Sequence, residues 1–132
     1  MFALLQQGLL VPATDYIDAQ RVRRLLAEEF ARIWESLDCL IAPVTAITAP
    51  KIGEMAVQIN GAEEDVRLAS TRLTRPFNVL GWPALAMPCG FSAAGLPIGL
   101  QLVAPPDRED TLFRAGAALE DALNVDRARR DL

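Results

Sequence analysis

Pro76-Phe77-Asn78-Val79-Leu80-Gly81-Trp82-Pro83-Ala84-Leu85-Ala86-Met87-Pro88-Cys89-Gly90 opens a run, continuing to residue 106, that holds no charged side chain. A run of that length is long enough to cross a bilayer. Pro83, Pro88 and Pro97, with Gly81, Gly90, Gly95 and Gly99, cut it into short pieces, and a membrane helix does not survive that punctuation. Short apolar pieces between turn residues read instead as strands buried on both faces, in a sheet covered by helices. Residues 84–87 and 98–103 are the two strands expected here, with residues 90–95 as the turn between them.

Upstream, Ala19, Val22, Leu26, Phe30, Ile33 and Leu37 recur at spacings of three and four. They predict a long helix over about 16–37 with one apolar stripe, capped by Thr14 or Asp15. Residues 2–7 read as a helix end stopped by Gly8. Residues 38–43 read as a short buried strand ending at Pro43. Asn60-Gly61 after residues 56–59 predicts a hairpin, because a type I′ turn needs positive φ at both central positions. A helix is expected over about 63–75, with Glu63, Glu64 and Asp65 as its solvated start. A last helix is expected from Asp107, capped by that carboxylate, with Leu112, Ala115, Leu119 and Ala122 on its buried face.

Helices alternating with doubly buried strands indicate an α/β sandwich. The three main strands make a small sheet for such apolar sequences, since each would need partners on both sides and helices on both faces. The expectation is therefore a part of a larger sheet, with exposed apolar surface where further elements pack, and self-association through it. Residues 124–132 are expected to form a polar tail.

Composition narrows the function. The 132 residues carry a net charge of −4, and the only basic cluster is Arg127, Arg129 and Arg130. That disfavours nucleic acid and anionic membrane as partners. Cys39 and Cys89 lie in apolar runs and read as free thiols in a reducing compartment, and the N-terminus lacks the basic start of a secretory signal. The expected location is cytoplasmic. There is no His, which removes Ser-His-Asp and Cys-His mechanisms and most transition-metal sites. A Ser-Lys mechanism is the remaining route to amide cleavage. The only lysine, Lys51, follows Pro50 in a polar loop, and Ser36, Ser70 and Ser92 are far apart in sequence. A solvated lysine stays protonated near its usual pKa of about 10.4 and is no base at neutral pH.

Thr74-Arg75-Pro76-Phe77-Asn78-Val79-Leu80-Gly81-Trp82-Pro83 and Gly95-Leu96-Pro97-Ile98-Gly99-Leu100-Gln101 resemble the late segment of the amidase signature family. Asp15-Tyr16, Arg21, Phe30 and Asp38-Cys39-Leu40-Ile41-Ala42-Pro43 fit that family in order and spacing, so the resemblance runs from about residue 8 to 123. It implies an α/β/α sandwich with a mixed central sheet, of which residues 1–132 would be the C-terminal part. It implies amide hydrolysis, or ammonia transfer in tRNA-dependent amidotransferases, by a Ser, cis-Ser and Lys in a Gly/Ser-rich segment that this chain lacks. No catalytic residue, metal or cofactor is thus assigned, and the chain is expected to be inactive alone. The resemblance offers Thr71, Thr74 and Asn78 as walls of the acyl pocket for a small-molecule amide. Thr71 stands where the amidase-type subunits of those amidotransferases usually carry an Asp, which favours a general amidase. A non-catalytic module completing a split amidase or amidotransferase, or a small domain of unrelated function, are the alternatives.

Overall fold

The computed structural model describes residues 2–124. The expected polar tail, apart from Asn124, and its three arginines lie outside the described residues.

α1 (Phe2–Gly8) leads into α2 (Ala13–Phe30), which tightens into a 3-10 helix over Ala31–Glu35. The expected caps do not act at the start of α2. Extended Pro12 precedes the helix, and its carbonyl accepts from the N–H groups of Asp15 and Tyr16, so Thr14 and Asp15 fall inside the first turn. There Asp15 complements the positive end of the helix dipole.

β1 (Leu40–Pro43), β4 (Ala84–Phe91) and β5 (Pro97–Val103) form a sheet in the order β1-β5-β4, antiparallel throughout. β4 runs four residues beyond the expected 87, past a bulge between Pro88 and Gly90. β2 (Ala56–Ile59) and β3 (Ala62–Asp65) form the separate hairpin, with φ of 51° at Asn60 and 81° at Gly61. Both values lie in the region that a type I′ turn demands.

That hairpin corrects the expected helix over 63–75. The two-residue turn fixes Glu63 opposite Gln58 and Glu64 opposite Val57, so these acids belong to β3. The helix begins only after Asp65, whose carboxylate accepts from Arg67 N–H (2.8 Å) and Leu68 N–H (3.3 Å). α3 (Val66–Thr71) is short, and α4 (Arg75–Leu80) starts anew with Pro76 in its first turn, where a missing N–H costs nothing. Gly81, at φ 73°, ends α4.

α5 (Glu109–Leu123) closes the described chain. Asp107 does not cap it. Its φ of 62° turns the chain, and Arg108 occupies the cap position, donating to Asp110 (3.2 Å) and Thr111 (2.9 Å). The core is small: Leu102, Ala104 and Leu112, flanked by Leu85, Met87, Leu100, Ala115 and Leu119, between α5 and one face of β4–β5. Ala122 is exposed and takes no part.

Two burial expectations fail for one reason. Burial alternates along β1 and β4, and only Gln101–Val103 of β5 are enclosed on both faces. The stripe of α2 is likewise open: Val22 is 54% and Phe30 50% exposed, and no residue of the helix is buried. Sequence periodicity specifies a face that wants cover; residues 2–124 supply one layer and part of another.

Candidate functional site

The second face of the sheet carries the expected site. Gln101, 2% exposed, projects from the central strand and donates from Nε2 to Pro43 O (2.9 Å) and Leu73 O (3.0 Å). A buried amide with neutral acceptors on two elements locks the α3–α4 turn to the sheet. Thr71, Thr74 and Asn78 lie along this turn. Thr71 ends α3 and its hydroxyl donates to Arg67 O (2.7 Å). The Thr74 hydroxyl donates to Thr71 O (3.0 Å), and Thr74 O accepts from Asn78 N–H (3.2 Å). The three are thus joined by consecutive backbone contacts. Thr71 and Asn78 are exposed, Thr74 is half-buried, and both threonine hydroxyls satisfy backbone carbonyls. The Asn78 side chain has no hydrogen bond among the described residues and points no cap at the turn.

A helical layer backs α4. The Arg23 guanidinium of α2 donates to Val79 O and passes close over Gly81, whose φ of 73° is the reason for glycine there. Trp34 meets Trp82 edge-to-face at 4.8 Å, and Phe77 stacks on Trp82 at 6.3 Å. Trp82 is buried, and the indole N–H of Trp34 has no oxygen or nitrogen acceptor among the described residues.

Two clefts lie elsewhere. The larger, about 730 Å³, runs between β4 and α5, lined by Ala86, Pro88, Phe113, Ala117, Glu120 and Asp121 among others. The smaller, about 360 Å³, is bordered by Val44, Thr45, Met87 and Ile98. Neither is lined by Thr71, Thr74 or Asn78. Lys51 is exposed, and its backbone N–H donates to the Glu54 carboxylate (3.0 Å). Ser36 and Ser92 hydroxyls are engaged locally, with Ile33 O and Leu96 N–H. No lysine–serine hydrogen bond exists among the described residues, and none of their Cys, Asp and Glu cluster as metal ligands. Cys39 and Cys89 are free and half-buried. No described helix is long and apolar enough to cross a membrane.

Charge on the surface is organised in local pairs. The Asp65 carboxyl lies below its ordinary range, chiefly through the Arg67 side chain, against a smaller opposing effect of burial. Asp110 is lowered by Arg108 in the same way. Both pairs fix helix starts rather than building a reactive centre.

The family model described as Amidase matches residues 3–113. The chain belongs to the amidase signature family. An amidase of Pseudomonas putida is 45% identical over 120 residues, covering 90% of this chain and 26% of the relative. The A subunit of the glutamyl-tRNA(Gln) amidotransferase of Halothermothrix orenii is 40% identical over 117 residues, covering 89% and 23%. A crystal structure of an amidase superposes with a TM-score of 0.83 at 33% identity, over 89% of this chain and 27% of that one. The chain therefore spans about a quarter of the length of the amidase-family relatives it matches. The α/β architecture is that of these enzymes. Within it, the contribution of Gln101 was missed as a site feature by sequence reasoning. Its signal is a lone amide in an uncharged strand that must find partners when buried. Arg23 and the β4–α5 cleft carried no such signal, because both depend on how distant elements meet.

Proposed function

We propose that this chain is the C-terminal portion of an amidase that hydrolyses the C–N bond of a carboxylic amide. In this reading the Ser-cisSer-Lys centre lies outside residues 1–132, and the chain alone is inactive. The carrying observation is the combination of an amidase match over residues 3–113 with a sole lysine that is exposed and has no hydrogen bond to a serine among the described residues. Thr71, Thr74 and Asn78 form part of the acyl-pocket wall, on a turn that Gln101 holds against the sheet. Asn78 is the residue free to meet a substrate, since its side chain is exposed and uncommitted. Thr71, in place of an Asp, leaves no charge there to hold an amino group, which favours a simple amide over a glutamine-like substrate. The enzyme works in the cytoplasm and needs no cofactor.

A second reading, a non-catalytic module that completes a split amidase, is favoured by the two open edges of the three-stranded sheet. A chimera separates the two. The chain replaces the matching quarter of the Pseudomonas putida amidase, and hydrolysis of small aliphatic and aryl amides is measured. An active chimera is expected, with Asn78→Ala lowering kcat/KM about tenfold, the loss of roughly one substrate hydrogen bond. A folded but inactive chimera favours the assembly module. Turnover by the purified 132-residue chain that disappears in Lys51→Ala overturns both.

A further inference from the structure

Among the described residues β4 has one strand partner, and the backbone on its other side is unpaired. Ala104 N–H donates to Pro83 O (3.2 Å), which makes 83 and 104 a hydrogen-bonded pair. Alternation along an antiparallel ladder then turns the backbone of Leu85 and Met87 toward β5, opposite Leu102 and Leu100. The N–H and C=O groups of Ala84 and Ala86 face outward, and both residues are exposed. No hydrogen bond from another element reaches them among the described residues. Pro88 also faces outward but has no N–H, so it ends the stretch on which a further strand can build.

A groove of about 730 Å³ overhangs this edge. α5 turns Leu112, Ala115 and Leu119 to the sheet, and a second stripe of Phe113, Ala117, Glu120 and Asp121 to the groove. The stripe is apolar at one end, where Phe113 is 67% exposed, and acidic at the other. Glu120 and Asp121 stand in the last turn of α5, at the negative end of the helix dipole. That turn has no basic residue, and neither acid has an ion pair among the described residues. An acidic pair so placed is unfavourable alone and is offset by a cation.

We propose that the outer edge of β4 is a strand-acceptor seam. Its occupant is an extended segment that pairs with Ala84 and Ala86, sets apolar side chains beneath Phe113, and brings Lys or Arg to Glu120 and Asp121. The function proposed above enters only as the source of that segment, the remainder of an amidase. A second copy of this chain is a poor occupant. Its β4 lies in a stretch without charge and offers no Lys or Arg to Glu120 and Asp121.

The test uses the ¹⁵N-labelled chain and two probes, the acetylated and amidated peptide Lys-Val-Thr-Val-Lys-Val-Thr and its counterpart with Glu for Lys. The Lys peptide is expected to slow amide exchange at Ala84 and Ala86, and to bind about tenfold more tightly than the Glu peptide. Glu120→Gln with Asp121→Asn should remove that preference while leaving exchange at Leu102 slow. Ala86→Pro deletes an outward donor without touching the β4–β5 ladder, and should abolish binding with Leu102 still protected. Absence of protection at Ala84 and Ala86, or equal affinity for the two peptides, overturns the proposal. So does protection of both amides before peptide is added, whether independent of concentration, as the chain's own C-terminal residues would give, or rising with concentration, as a second copy would. None of these outcomes bears on amide hydrolysis by the chimera, which reports on the proposed function separately.

Discussion

Gly116 of α5 lies against Leu85 of β4 so closely that a Cβ at position 116 would stand 2.5 Å from Leu85 Cδ2. The missing side chain is what lets the helix settle on the sheet, and the same contact forms the inner end of the β4–α5 groove. In a solvent-exposed helix, Gly→Ala stabilises by about 1 kcal/mol. Here overpacking, at about 1–3 kcal/mol, opposes and outweighs it. Gly116→Ala should therefore destabilise by about 1 kcal/mol in urea denaturation. Leu85→Ala in the same chain should relieve the clash, so that the double variant is more stable than the sum of the two losses.

Among the described residues, Gln101 is the one side-chain donor to two carbonyls, Pro43 O and Leu73 O. Gln101→Leu should cost about 2–3 kcal/mol, because it removes two buried hydrogen bonds and leaves the acceptors unpaired. Gln101→Glu should be worse near neutral pH, since a carboxylate cannot donate and its charge would be buried. Thermal melts at pH 7 check both. Hydrogen exchange across α3 and α4 should rise more than in the β2–β3 hairpin.

Acid should loosen the start of α3 before it affects the sheet. The Asp65 carboxyl titrates below its ordinary 3.8 in the folded chain, first because of the Arg67 side chain and then its two backbone donors. A lowered folded value means that ionised Asp65 adds stability above its unfolded pKa, and that this part is lost as pH falls through the folded value. Asp110, lowered by Arg108, acts with the same sign at α5. Asp65→Asn keeps the cap but cannot titrate. It should lower the melting temperature slightly at pH 7, where the ionised carboxylate contributes, and flatten the fall below about pH 4, so that the two curves converge in acid.

The open stripe of α2 should drive association. Val22 and Phe30 are half exposed and Leu26 is 37% exposed, on one face of a helix with no buried residue. An apolar stripe of this kind seeks cover. Sedimentation of the 132-residue chain should show mass rising with concentration, and Val22→Glu with Phe30→Glu should return it to monomer. A wild-type chain that stays monomeric at high concentration sinks this prediction.

The sequence carried the elements better than the boundaries between them. β1, the Asn60-Gly61 turn and the long α2 were legible because each has a local cause: an apolar run stopped by Pro43, a dipeptide that tolerates positive φ, a 3.6-residue period. The helix expected from Glu63 failed because helix and strand compete over short charged runs. The decision fell to a pairing with residues 56–59 that the local pattern does not contain. Asp65 and Asp107 look alike as caps in sequence, yet one accepts two N–H groups and the other turns the chain at φ 62°. Thr71, Thr74 and Asn78 were singled out through motif resemblance alone, and their part in a pocket belongs to the function proposed above. The partners of Gln101, Arg23 and Gly116 were not, since each contact joins residues dozens of positions apart or in different layers.

The aromatic contact between Trp34 and Trp82 has an optical consequence. These are the chain's only tryptophans, and both sit where the 3-10 helix after α2 meets the C-terminal end of α4. Indole emission and near-ultraviolet ellipticity therefore follow the docking of that helical layer. α5 and the groove beside β4 hold Phe113 as their nearest aromatic and are almost silent by the same probes. A fluorescence melt of this protein is thus a melt of one face, and its agreement with a far-ultraviolet melt measures how tightly the two faces are coupled through Gln101.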